Sequence, residues 1–207
     1  MGVIVPHFLA AGHRWGIDRR LVSAVRPAQT AKVDTTAIHD EMEQARRAFH
    51  RLVDDATDAD LHRPSRGTRW TNRQLLFHML LGYLIVGRLL MLVRVFGRFP
   101  AGVSRAYARL LDIAAKPFDA VNYAGSCAGG ALLGRERMAT MFDHVIAALH
   151  RRLEAETVAD LARGMHYPMR WDPFFKDFMT LADVYHFPTQ HFDFHQRQLT
   201  IGALPRA

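Results

Sequence analysis

From Thr35 onward, hydrophobic residues recur at intervals of three and four. Ile38, Met42, Ala45, Phe49 and Leu52 share one face, with Asp40, Glu41, Glu43 and Arg46 between them. That spacing predicts an amphipathic helix of about four to five turns. The pattern stops in Asp54-Asp55-Ala56-Thr57-Asp58, and the polar segment through Arg63-Pro64-Ser65-Arg66-Gly67 reads as loop. The second helix has the best-marked start in the chain. Thr71 and Gln74 form a T-x-x-Q capping box, with Trp70 and Leu75 placed as its hydrophobic staple. His78 falls two turns inside, in line with Leu75, Leu81, Gly82 and Ile85. Gly82, one turn further on, presents no side chain and leaves space beside the imidazole. Gly97 and Pro100 mark the helix end.

Val103 to Ala115 predicts a short helix before Lys116-Pro117. The glycine-rich stretch Tyr123-Ala124-Gly125-Ser126-Cys127-Ala128-Gly129-Gly130 lacks the Gly-Lys-Ser/Thr ending of a phosphate-binding loop and reads as a flexible connection. A third long helix spans Arg135 to Glu154, with Met138, Met141, Phe142, Val145, Leu149 and Leu153 as its apolar stripe. Asp172-Pro173 reads as a cap with proline at the first helical position. It opens a fourth helix running towards Leu199, which Pro188 kinks or splits. No segment alternates at period two. The expected fold is all-α, an up-down four-helix bundle over residues 35–201. An N-terminal basic extension, residues 1–34, precedes it with no clean period, and a short tail, residues 202–207, follows.

Composition adds bounds. The chain has 207 residues, 49% hydrophobic and 23% charged, which suits one globular domain with a substantial core. A single cysteine, Cys127, excludes an internal disulfide and a cysteine-rich zinc site, and it fits a reducing, cytoplasmic setting. The net charge of +7 is spread along the chain with no dense basic run or interleaved aromatics, so no nucleic-acid partner is expected. The most apolar run, Leu75 to Phe96, is interrupted by His78, Arg88 and Arg94. It reads as a buried core helix and not an integral membrane span. The N-terminal apolar run lacks a basic leader, so a signal peptide is not expected. Oligomeric state stays open, a homodimer among the options.

Candidate chemistry lies in the histidines. His191 and His195 are four apart, so on a helix they stack on one face, and Gln198 continues that stripe. Two imidazoles so placed can reach one metal ion. His78 on the second helix is the third candidate, because a four-helix bundle brings ligands from facing helices into a shared interior. Three neutral nitrogens suit Zn, Ni or Fe(II) and leave positions open for water or substrate. The competing reading makes each a hydrogen-bonded core histidine, which a chain with twelve histidines readily supplies. His39, His50, His144, His150, His166 and His186 read as structural or surface residues. A zincin-type hydrolase needs a glutamate beside the first histidine, where this chain has Phe192.

Trp70-Thr71-Asn72-Arg73-Gln74-Leu75-Leu76-Phe77-His78 resembles the W-T-x-x-E-L-L-x-H signature that opens the second helix of the DinB-like family. His191-Phe192-Asp193-Phe194-His195-Gln196-Arg197-Gln198-Leu199 is similar to its closing H-x-x-x-H-x-x-Q-[IL] element. The resemblance covers residues 35–201. It departs at Arg197, where many members have glycine, and at Pro188 and the aromatic pair Phe192 and Phe194. It implies a four-helix bundle that holds a divalent metal (Zn, Ni or Fe) through His78, His191 and His195. It also implies a thiol S-transferase or thiol-dependent isomerase, with a low-molecular-weight thiol and a small electrophilic substrate as partners. Under that reading Trp171, Phe192 and Phe194 line the substrate pocket, and Gln198 holds a ligand imidazole or the metal-bound water. Arg73 and Arg170 are candidates to hold a carboxylate. Two other readings stand beside it: a non-catalytic helical bundle that binds a protein or membrane-surface partner, and a metal-dependent hydrolase.

Overall fold

The computed structural model describes residues 35–202. The basic extension expected over residues 1–34 lies outside the described residues, as do the last five of the tail. Four long helices make the bundle: α1 (Thr35–Asp55), α3 (Asn72–Phe96), α6 (Arg135–Glu154) and α8 (Leu181–Gln196). Between them lie the short α2 (Asp58–His62), the pair α4 (Ala101–Ile113) and α5 (Ala115–Leu132), the short α7 (Val158–Leu161) and a small antiparallel hairpin, β1 (Gly164–His166) with β2 (Phe178–Thr180).

The long helices form a ring in which α1 touches α6 and α8, and α3 touches α6 and α8. Side-chain pairs give the directions. Asn72 meets Thr200, His78 meets His195 and Tyr83 meets Thr189, so α3 and α8 run antiparallel. Tyr83 packs on Phe142 and Arg152 donates to the carbonyl of Gly87, so α3 and α6 run parallel. His39 lies against His150 and His50 against Asp143, so α1 and α6 are antiparallel. The expected bundle is present, but its directions run up-down-down-up. The α4–α5 pair returns the chain along α3 before α6 begins, which is what breaks simple alternation. Fully buried Phe49, Tyr83, Phe142 and Phe192 meet at the centre of the ring; the rings of Phe49 and Phe142 stack at 4.4 Å. By length and composition α3 could cross a membrane, yet half of its most apolar window is buried in the protein, where it is the central core helix.

Three stretches differ from the sequence expectation. The glycine-rich segment 123–130 is helical, inside α5. A Cβ on Gly129 would stand 2.2 Å from the Phe77 ring, and one on Gly130 2.9 Å from Gln74 Cα. These glycines let α5 press closely on α3, and packing overrides their low helix propensity. The last helix does not start at Asp172-Pro173. It starts after Thr180, whose hydroxyl accepts from Asp183 N–H while the Asp183 carboxylate accepts from Thr180 N–H, a full capping box. Pro188 sits buried inside α8 without splitting it. Lastly, α2 and β1 occupy segments read as loop, and β2 falls inside the span expected for the fourth helix; all three are too short to carry a periodic signal.

Candidate metal centre

His78 projects from α3, and His191 and His195 from α8, at the antiparallel contact between the two helices. One nitrogen from each ring lies within 4.8 Å of the others, and all three residues are buried. Ring centroids are 4.9 Å apart for His78 and His191, 4.8 Å for His78 and His195, and 4.5 Å for His191 and His195. The group could hold a metal ion.

Each Nδ1 is engaged from behind. His78 Nδ1 is 3.2 Å from Ser126 Oγ, His191 Nδ1 is 3.0 Å from Asp172 Oδ2, and His195 Nδ1 is 2.7 Å from Gln198 Oε1. A histidine that donates Nδ1–H this way presents Nε2 as the bare ligating atom. At His191 that Nε2 is buried with no hydrogen-bond partner. A buried polar atom without a partner is costly, so an imidazole nitrogen left this way fits a ligand to a cation. Burial, then repulsion from His191 and His195, lowers the pKa of His78 to about 2. Burial, then His191, lowers that of His195 to about 4. Both rings are neutral at pH 7, the state in which imidazole ligates.

The surrounding chain fixes these side chains in place. Trp70, the staple before α3, stacks on His78 with centroids 4.4 Å apart. Asn72 is wholly buried; its amide donates to Asp60 O and Thr200 Oγ1, and its Oδ1 accepts from Thr200 N–H. Arg66 N–H donates to the Gln198 carbonyl at 2.7 Å. The start of α3 and the loop before it thereby hold the turn after α8 that carries Gln198. Gly82 leaves room for the ring of His191, and not for His78 as its own helix suggests: a Cβ there would stand 2.9 Å from His191 Cδ2.

Beside the histidines opens a cavity of about 630 Å³ with almost wholly apolar walls. Trp171 and Phe194 line it. Trp171 stacks on Phe118 at 3.9 Å and donates its Nε1–H to Leu111 O, tying the loop before β2 to α4 and α5. Phe192, expected in the pocket, is not among the lining residues. It is fully buried in the core against Tyr83, Phe49 and Phe142, because the position next to His191 on a helix faces a different side from the one His191 shares with His195. Arg73 donates to the carbonyls of Ala131 and Leu133, and Arg170 is exposed outside the cavity lining. His39, His50, His150 and His186 pair across the outer faces of α1, α6 and α8, and His166 is held by Asp177 and Arg105.

Ser126 and Asp172 are the partners that sequence reasoning missed. Ser126 lay in the stretch read as flexible, and Asp172 was assigned to a helix cap. Spacing could have found Ser126 only had α5 been recognised as a helix, and Asp172 gave no local signal because its contact is with α8.

Fold and site together define a helical-bundle protein with a candidate three-histidine metal centre in the wall of an apolar cavity. The family model of the DinB superfamily matches residues 41–199, most of the chain, and the chain belongs to that superfamily. No curated protein and no solved structure gives a match.

Proposed function

We propose that the chain is a divalent-metal-dependent enzyme, a thiol S-transferase or thiol-dependent isomerase acting on a low-molecular-weight thiol and an electrophilic co-substrate. The observation that carries this reading is the buried, partnerless Nε2 of His191 among three imidazoles whose Nδ1 atoms are already held. Zn, Ni or Fe(II) suits the donor set, and such an ion supplies Lewis-acid chemistry that lowers the pKa of a thiol. His78, His191 and His195 present the three ring nitrogens, and His78 and His195 are neutral at pH 7. Ser126, Asp172 and Gln198 meet the three Nδ1 atoms and set the ring orientations. In transfer, the thiol sulfur forms a bond to the electrophilic carbon, the thiol proton passes to solvent, and the leaving group departs with the electrons of the broken bond. Apolar walls, including Trp171 and Phe194, hold the co-substrate and keep water away from it. A thiol co-substrate requires a reducing compartment, which fits a cytoplasmic setting.

The absence of a poised base favours transfer over hydrolysis. Among the cavity-lining residues the one carboxylate is Asp172. Its Oδ2 meets His191 and its Oδ1 accepts from Phe174 N–H, so neither oxygen is left to activate water. Asp193 is exposed and lines a separate polar pocket with Glu41 and Arg47.

The test is thermal stability of the purified protein with and without chelator, across a panel of low-molecular-weight thiols. The proposal expects a thiol that raises Tm only when metal is present, and no such response in His195→Ala. A protein that carries no metal, or a thiol response that survives chelation, would favour a non-catalytic binding protein instead.

A further inference from the structure

The wall that α3 gives to the cavity is one stripe: His78, Leu81, Ile85, Arg88 and Leu92, at steps of three and four. From His78 to Arg88 is ten residues, about 15 Å along the helix axis. Between those ends the wall is apolar. Leu111 of α4, Val121 of α5 and Phe187 of α8 line the same cavity. Its volume of about 630 Å³ is within the range that encloses a whole small-molecule ligand. Arg88 is exposed, lines the cavity, and makes no ion pair or hydrogen bond among the described residues. A cavity so poor in hydrogen-bonding groups disfavours a sugar-like body and favours a hydrocarbon one.

We infer that the co-substrate of the proposed enzyme is an elongated apolar molecule ending in a carboxylate, which pairs with Arg88 while the reactive carbon sits at the histidines. This rests on the metal-centre reading for its reactive end only. The trough and Arg88 belong to the chain whether or not metal is bound. The guanidinium matches a carboxylate through two parallel N–H donors, and its position sets the distance between the two ends of the ligand.

Straight-chain saturated carboxylates and the matching alcohols test the inference, with binding read from the fluorescence of Trp70 and Trp171, both in the cavity wall. Metal content is measured on the same samples. Affinity should climb roughly fourfold per added methylene. It should level off at about a dozen carbons, the number that spans 15 Å at about 1.25 Å per carbon. Carboxylates should bind roughly threefold or more tighter than alcohols. Arg88→Gln should erase that preference and leave the length dependence, and Ile85→Trp should stop the climb at shorter chains.

Affinity indifferent to chain length would overturn the apolar substrate class. A carboxylate preference that survives in Arg88→Gln, or that vanishes on chelation in the wild type, would overturn the placement of the anion. Chain binding by a protein that holds no metal sinks the proposed enzyme and spares the trough; metal without length-dependent binding does the reverse.

Discussion

Gly82→Ala is the sharpest perturbation of the centre, because it should lower metal affinity by more than it changes the stability of the metal-free chain. The new methyl would stand 2.9 Å from His191 Cδ2 and 3.4 Å from Nε2. The ring cannot swing freely, since Asp172 holds its Nδ1 and Phe187 packs beside it. Reaching an ordinary contact of 3.4 Å takes a shift of about 0.5 Å, more than the roughly 0.2 Å that metal–ligand distances tolerate. Disturbing the groups that orient a ligand typically costs about 10- to 100-fold in metal affinity. At saturating metal that removes about 1.4–2.7 kcal/mol of metal-derived stability. In the metal-free chain a helix-propensity gain of up to about 1 kcal/mol is offset by the cost of displacing the held ring, about 1 kcal/mol or more, so stability there should change little or fall slightly. Chelator competition gives the affinity, and denaturant unfolding with and without metal gives the two stabilities. Wild-type metal affinity in the variant would refute the placement of the His191 ring as a ligand.

Further expectations follow from the same geometry. Asp172→Asn removes the charge behind His191 and should weaken metal binding about 10- to 100-fold without unfolding the chain, as read by chelator competition. The folded-state pKa values of His78 and His195 are lowered, to about 2 and about 4, so between pH 6.5 and those values the unfolded chain binds more protons. Stability of the metal-free protein is therefore full above pH 6.5 and falls as the pH drops towards 4, by up to about 1.4 kcal/mol per pH unit for each histidine; urea unfolding at stepped pH should follow that slope. Phe192→Ala should cost about 3–5 kcal/mol because it empties the aromatic core. Phe194→Ala, at 38% exposure, should cost less than about 1 kcal/mol.

What the sequence made legible is what local chemistry encodes. The Thr71–Gln74 box starts α3 where the pattern says, and α6 spans Arg135–Glu154 as its stripe requires. The i,i+4 spacing of His191 and His195 was visible because both lie on one helix. What stayed hidden depends on distant partners. The helical state of 123–130 comes from Gly129 and Gly130 fitting against Phe77 and Gln74, contacts that no window of α5 contains. Asp172 carries a local cap signature and its Oδ1 does accept from Phe174 N–H, yet its Oδ2 goes to His191, nineteen positions away, which no local pattern reports. Phe192 and Phe194 look alike in a string, and only the direction of α8 sends one into the core and the other to the cavity. Parallel α3 and α6 likewise follow from how the α4–α5 pair packs, which periodicity does not report.

The central claim is that one metal ion is held by three imidazole nitrogens. X-ray absorption at the metal edge of the purified protein, with elemental analysis for stoichiometry, tests it most directly. The account predicts one divalent ion per chain with three nitrogen ligands at about 2.0–2.1 Å if the ion is zinc, and loss of that ion in His78→Ala. An ion ligated by oxygens alone, or undiminished occupancy in His78→Ala, would contradict it.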